Sequence, residues 1–309
     1  MQPGSEDKGL AWQIGVWDGM AQLYEREVDR RFTSVVEGVV ERAGLQPGEQ
    51  VLDLGTGTGA VAIRAASLVG QAGHVTGVDI SGEMLAAARE RAVAFGLGNV
   101  SFREGRAEAI PGDSSCCDVL LASLSLMYVI DRAAAAREIA RVLRPGGRFV
   151  AAVWAGPADC DIVRFQQTAG SFAPPSLVPN VGPGAFADTG PFLTQLAEVG
   201  VQARIETEVL GFDFDDFESA WTILAGVTTA ALAPERRDEA KAAVRDLMWP
   251  GGEGPRHFRN TTQFIVGALP PRPRIRGGGA HADPLCLPAP GRRVVWAGAC
   301  HGGTTTPGA

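Results

Sequence analysis

Three glycines at alternate positions, Gly55, Gly57 and Gly59, follow an apolar run in the stretch VLDLGTGTGA at 51–60. Such a run reads as a buried strand. Glycine spaced this way lets backbone turn sharply and approach a ligand before a helix begins, and the helix start then offers unpaired N–H groups. The surrounding pattern agrees. Strands are predicted at 50–54, 74–79, 100–104, 118–122 and 148–154, with helices between them over 60–69, from a Ser81 cap to about Phe95, and from an Asp131 cap to Leu143. Pro145-Gly146-Gly147 reads as the turn into the fifth strand. Strands alternating with helices predict an α/β fold: a parallel sheet with helices on both faces, its ligand at the carboxyl ends of the strands where their order reverses.

Outside 50–154 the pattern is looser. Apolar positions at three- and four-residue steps predict a helix over 11–44. Residues 156–187, with several Pro and Gly and few charges, read as a mobile loop or lid. A helix (191–199), a strand (201–210), two helices (214–231 and 234–248) and a last strand (Thr261–Leu269) follow. From Pro270 to Ala309 the composition turns to Pro, Gly, Arg and Ala, too poor in apolar surface to offset ordering entropy, so the tail is expected to be disordered.

Composition removes several function classes. A net charge of −7 argues against nucleic acid as partner, because phosphate binding wants a basic face. Only two lysines occur, Lys8 and Lys241, and neither follows a glycine cluster as a P-loop requires. Cys116, Cys117, Cys160, Cys286 and Cys300 form no C-x-x-C, and the histidines His74, His257, His281 and His301 are far apart, so no metal site is expected. No run is apolar for the ~20 residues of a membrane span. No signal peptide is visible, and a cytoplasmic location is expected.

Two ligands suit the glycine loop. Gly55, Gly57 and Ala60 satisfy the loose dinucleotide pattern G-x-G-x-x-[GA]. Asp53, however, would face a pyrophosphate unfavourably, whereas S-adenosylmethionine carries an ammonium and a sulfonium that an anion attracts. Asp79, at the end of the second strand, can accept ribose hydroxyls of either ligand. A long helical stretch ahead of the first strand also departs from a dinucleotide domain. The balance favours the sulfonium ligand.

VLDLGTGTG (51–59), VTGVDIS (75–81), GRAEAIP (105–111), DVLLASLSLMYVID (118–131) and EIARVLRPGGRFVAAVW (138–154) together resemble a class I S-adenosylmethionine-dependent methyltransferase. The resemblance is to the ubiquinone/menaquinone-biosynthesis-like (methyltransferase type 11) group that also serves natural-product methylation. It implies a Rossmann-like, seven-stranded, mostly parallel sheet with helices on both faces, plus N-terminal helices and a helical substrate cap. In those terms 1–45 is an N-terminal cover, 46–269 the methyltransferase domain with cap insertions at about 156–187 and 213–250, and 270–309 the tail.

The resemblance also implies roles. Gly55, Thr56 and Gly57 would line the methionine portion of the cofactor and Asp53 would face its ammonium. Asp79 would take the ribose, with Ile80 and Met84 near the adenine and Ala107 at its edge. Ser123 and Leu124 would pass beneath the methionine end. Many relatives have an aspartate, an acceptor for the adenine amino group, where this chain has Arg106, a donor; Glu108 is the candidate replacement. The candidate catalytic residues are Tyr24, which the resemblance places near the cofactor's methionine end, and His257, a base by its ordinary pKa.

Methyl transfer from sulfonium is an in-line displacement in which positioning of the nucleophile supplies much of the rate, so no acid–base constellation is required for an amine or phenolate acceptor. The expected cover offers Phe165, Phe172, Phe186, Phe212, Trp221 and Trp249, which predicts a small apolar or aromatic substrate, quinone- or natural-product-like. The alternatives are an NAD(P)-dependent oxidoreductase and a non-catalytic interaction protein on the same fold. Oligomeric state and acceptor atom stay open.

Overall fold

The structure is a computed structural model that describes residues 5–174, 178, 180–230 and 232–271; 272–309, most of the expected tail with Cys286, Cys300, His281 and His301, lie outside the described residues. The chain begins with α1 (Ser5–Leu23), a π-helical turn (Tyr24–Val28), α2 (Asp29–Arg31) and α3 (Thr33–Ala43). The helix predicted over 11–44 is therefore interrupted twice. Phe32 leaves helical geometry (φ −92°, ψ 14°). Its ring packs edge-on against Trp154 and Phe212, at centroid distances of 5.7 and 5.1 Å.

β1 (Gln50–Leu54), α4 (Ala60–Val69), β2 (His74–Asp79), α5 (Gly82–Ala94), β3 (Val100–Glu104), β4 (Cys117–Ser123), α6 (Arg132–Val142) and β5 (Leu143–Trp154) follow in the predicted alternation. Ser81 and Asp131 cap α5 and α6, accepting from the amides of Met84 and Ala134. Pro145-Gly146-Gly147 is part of β5 and not a turn ahead of it. Leu143 already pairs with Cys117, and the ladder shifts register before Val119 pairs with Arg148. Gly146 takes φ +87° within this irregularity.

α7 (Asp161–Gly170) occupies part of the stretch read as a lid, because Ile162, Val163, Phe165 and Ala169 bury one face of a helix there. α8 (Gly190–Glu198) leads to β6 (Gln202–Phe214), then α9 (Phe217–Leu224), α10 (Gly226–Thr229), α11 (Pro234–Met248) and β7 (Arg256–Ala268). Both final strands outrun their predicted bounds, since alternating buried residues (Leu210, Phe212, Phe214) keep the ladder paired to Phe214↔Arg256.

The described residues form one seven-stranded sheet in the order β3-β2-β1-β4-β5-β7-β6. β7 runs antiparallel to β5 and β6, and the other pairings are parallel. The order reverses between β1 and β4, and a site belongs at their carboxyl ends. Val51, Leu52, Val75, Val119, Leu120 and Leu121 are buried, as parallel strands covered on both faces must be. No helix among the described residues is long and apolar enough to cross a membrane.

Candidate functional site

At the reversal point the glycine loop bends away from β1. Gly55, Gly57 and Gly59 all take positive φ (69°, 52° and 83°), a region that disfavours any residue with a Cβ. The amides of Gly55 and Thr56 donate to the Val78 carbonyl at 2.7 and 3.0 Å, tying the loop to β2. A Cβ on Gly55 would collide with the side chain of Ser125, whose hydroxyl donates to the Leu54 carbonyl at 2.7 Å. Next to Ser125, Leu124 takes φ +53°, and its amide donates to Ala152. The two loops interlock.

Two carboxylates stand on this frame. Asp53 is 1% exposed; its Oδ2 accepts from the Thr56 hydroxyl at 2.6 Å, while its Oδ1 has no hydrogen-bond partner. Burial pushes the carboxyl up to about 7, against the pull of that hydroxyl. Asp79 uses both oxygens on backbone: Oδ2 accepts from Gly57 at 2.8 Å and Oδ1 from Ser81 at 3.0 Å. Burial raises its pKa too, and these amides counter the effect.

The N-terminal helices are fastened over these loops. Asp18 accepts from the Ser81 hydroxyl, and Asp29 accepts from the Thr58 hydroxyl and the Arg91 guanidinium. Burial raises the Asp29 carboxyl, opposed by those same two partners. Between the anchors lies the π-helical turn, in which the Asp29 amide donates to the Tyr24 carbonyl five residues back. Trp17 from α1 meets both Tyr24 and Tyr128 edge-on.

Together these segments enclose a cleft with about 1190 Å³ of empty space, its open mouth included. Asp53, Gly55, Thr56, Gly57, Asp79, Ile80, Met84, Ala107, Glu108, Ser123, Leu124 and Tyr24, singled out from the sequence, all line it. Glu108 is already engaged: its Oε1 accepts from the amides of Ile130 and Asp131, and its Oε2 lies 3.3 Å from the Arg106 guanidinium. The structure adds Gln13, Trp17, Asp29 and Tyr128 to the lining. Trp17 lay at helical spacing and read as core, Asp29 belongs to no local pattern, and Tyr128 falls within the 118–131 motif without having been singled out.

His257 is not brought to the cleft. It sits on β7 opposite Asp213, its side chain 58% exposed and 2.7 Å from that carboxylate, and it lines neither cavity. Nor do the aromatics expected to cover the substrate line the cleft: Phe165, Phe186, Phe212 and Trp249 are buried in the core, where Phe165 packs on Trp221 and Phe258, and Arg236 lies over Phe172. The insertions instead present Ile162, Gln166, Ile223, Leu224 and Val227 to a second, smaller recess of about 390 Å³, open solvent included.

Residues 45–161 match a protein family described as a methyltransferase domain. Over that stretch, which is less than half of the chain, the protein is similar to a methyltransferase domain. The ubiquinone/menaquinone biosynthesis C-methyltransferase UbiE of Shewanella woodyi (strain ATCC 51908 / MS32) is 37% identical to this chain over 136 residues, which are 44% of this chain and 51% of that protein. The chain thus matches about half the length of such curated relatives. Among solved structures, the YcgJ protein of Bacillus subtilis superposes with a TM-score of 0.58 at 18% identity, over 77% of this chain and 99% of that one. A Bacillus halodurans C-125 structure does so with a TM-score of 0.56 at 19% identity, over 76% and 98%. Both share the methyltransferase fold. The family's cofactor is S-adenosylmethionine, and the dinucleotide alternative finds no support.

Proposed function

We propose that this chain transfers the methyl group of S-adenosylmethionine to a small, apolar or aromatic metabolite by in-line displacement. The observation that carries the reading is Asp53 Oδ1, a buried carboxylate oxygen without a partner on the wall of the cleft. Such an atom is costly unless a ligand cation reaches it. A dinucleotide pyrophosphate would face that carboxylate as a like charge, whereas an α-ammonium satisfies it.

Asp53 would hold the ammonium, and the backbone at Gly55, Thr56 and Gly57, left-handed at the two glycines, would cradle the methionine portion. Asp79, fixed by two backbone amides, would accept the ribose hydroxyls. Ile80, Met84 and Ala107 would pack about the adenine, and Glu108, spent on Arg106 and two amides, would serve to shape that end. Ser123 and Leu124 would floor the methionine end. Residues 1–45 form the cover in this reading, 46–269 the catalytic domain, and 270–309 a tail outside the chemistry.

When bound, the cofactor supplies an electrophilic methyl on a sulfonium whose thioether leaves readily. The chain's task is then to seat the acceptor opposite that methyl and exclude water, an effect worth up to ~7–11 kcal/mol. The name of the Shewanella woodyi relative points to a quinone-like ring as one such apolar or aromatic metabolite.

A thermal melt tests the reading. S-Adenosylhomocysteine at a hundred times its dissociation constant is expected to add ~2.7 kcal/mol of stability by mass action, and NAD(H) none. Stabilisation by NAD(H) alone, or by neither, overturns it.

A further inference from the structure

One end of the cleft is formed by the turn after β3. The Gly105 amide donates to the Asp79 carbonyl at 2.9 Å, and the Ala109 amide closes the turn by donating to the Arg106 carbonyl at 3.0 Å. A Cβ on Gly105 would lie 2.5 Å from Pro111 Cδ, so the turn is tightly seated. If Asp79 takes the ribose of the methyl donor, the base on that sugar meets Arg106, Ala107 and Glu108.

An adenine edge presents an amino group, which needs an acceptor, beside ring nitrogens that accept. The turn has no side-chain acceptor to spare. Glu108 Oε1 already takes the amides of Ile130 and Asp131, at 3.1 and 3.3 Å, and its Oε2 faces the Arg106 guanidinium. Arg106 carries donors only. None of them makes a hydrogen bond among the described residues, and its Nε is buried in that state. A guanidinium against the amino group would set donor against donor.

The opposite wall carries an acceptor. Gly9, Gln13 and Trp17 follow at four-residue steps of α1 and share one face. That face runs along residues 128–130: a Cβ on Gly9 would lie 3.9 Å from Ile130 Cδ1, and the Trp17 ring stands 4.8 Å from that of Tyr128. Gln13, midway between them, lines the cleft beside the segment whose Ile130 amide binds Glu108. It is only 5% exposed, yet its carboxamide makes no hydrogen bond among the described residues. Enclosing an amide this far carries a desolvation cost that a bound partner offsets. The carboxylates of the same cleft have other ties: Asp29 to Thr58 and Arg91, Asp53 to Thr56, Asp79 to Gly57 and Ser81.

We infer that Gln13 recognises the base of the methyl donor. Its carboxamide oxygen accepts from the adenine amino group, and its N–H donates to the adjoining ring nitrogen. The two edges are complementary in this way, which is why glutamine pairs with adenine elsewhere in recognition. The assignment rests on the reading that the cleft holds S-adenosylmethionine. It adds a specificity residue supplied by the N-terminal arm, so that the arm reads the ligand as well as covering it.

Isothermal calorimetry on the full chain compares S-adenosylhomocysteine with its 6-deamino analogue, in which hydrogen replaces the amino group. The wild type is expected to bind the adenine compound about three- to tenfold tighter, the effect of one net hydrogen bond. Gln13→Leu keeps a good helix former but has no acceptor, and it should bind the two ligands alike. Gln13→Ala, which leaves the cleft wider, should lose the preference as well.

A side chain that only packs would weaken both ligands by one factor and leave their ratio unchanged. That result in the two variants overturns the assignment, and so does a wild type without a preference. Binding of both ligands with no preference removes Gln13 alone and leaves the methyl-transfer reading standing. Binding of neither by the wild type strikes that reading and the Gln13 assignment with it.

Discussion

The side chain of Ser125 occupies the space a Cβ on Gly55 would need: the ideal Cβ position lies 2.3 Å from Ser125 Cβ. Gly55→Ala must therefore push the loop after β4 away from the loop after β1, and its positive φ adds strain. A stability loss of about 1–3 kcal/mol is expected in urea titrations. S-Adenosylhomocysteine affinity should fall about tenfold or more, since ~1.4 kcal/mol of misfit already has that effect. Ser125→Gly in the same chain should restore much of both. Unchanged affinity in the single variant would show that the interlock is irrelevant to binding.

Asp79 is held by amides from Gly57 and Ser81, which point its carboxylate into the cleft. Asn keeps the shape but presents one acceptor oxygen and an amide donor to the same two N–H groups. Asp79→Asn is expected to weaken S-adenosylhomocysteine by roughly ten- to a hundredfold in calorimetry, the scale of one hydrogen bond to a charged group. Full retention of affinity would remove Asp79 from the ribose site.

Asp53 gives the chain a pH signature. Its folded pKa is raised to about 7 from an ordinary value of 3.8, so between those values the folded protein binds a proton that the unfolded chain has lost. Its contribution to stability is complete below the lower value and disappears as pH rises through the upper one. An ammonium beside it favours the carboxylate, so ligand affinity should rise over the same interval. Melts between about pH 5 and 8 should show the ligand-free wild type losing stability relative to Asp53→Asn as pH rises, and S-adenosylhomocysteine cancelling the difference. Parallel curves for the two proteins would refute this.

Asp29 joins the N-terminal arm to the glycine loop through Thr58 and to α5 through Arg91. Asp29→Ala removes the carboxylate shared by Thr58 and Arg91, leaving Arg91 only its hydrogen bonds to the Thr58 carbonyl and hydroxyl, for an expected loss of about 1–3 kcal/mol. Hydrogen exchange should speed up across residues 5–28, with β1 to β5 still protected, because the arm opens as a local unit. Uniform exchange across the chain would mean that the arm and the sheet unfold together.

The sheet from β1 to β5 was legible because each strand is a short buried run punctuated by a turn or a cap, and Ser81 and Asp131 perform the capping their positions suggest. The cleft was legible for a related reason: Gly55 to Gly57, Asp79 and Ala107 sit at strand ends, where topology alone brings them together. Trp17, Asp29 and Tyr128 were not, since helices and turns distant in sequence deliver them by packing. Composition also misled. Phe165, Phe212 and Trp249 looked like a substrate cover, but large apolar rings serve the core first, and the smaller Ile162, Ile223 and Val227 reach the recess. His257 had suitable chemistry and an unsuitable address, on the outer part of the β6–β7 ladder.

The wide turn at Tyr24–Val28 makes residue count a determinant of fit. An α-helix advances by about 100° per residue, so removing one residue from that turn would spin everything upstream by more than a quarter circle. Trp17 would swing off the two tyrosines and Asp18 off Ser81, although every side chain of the arm was still present. Length in this five-residue segment, no less than identity, is what keeps the arm in phase with the pocket beneath it.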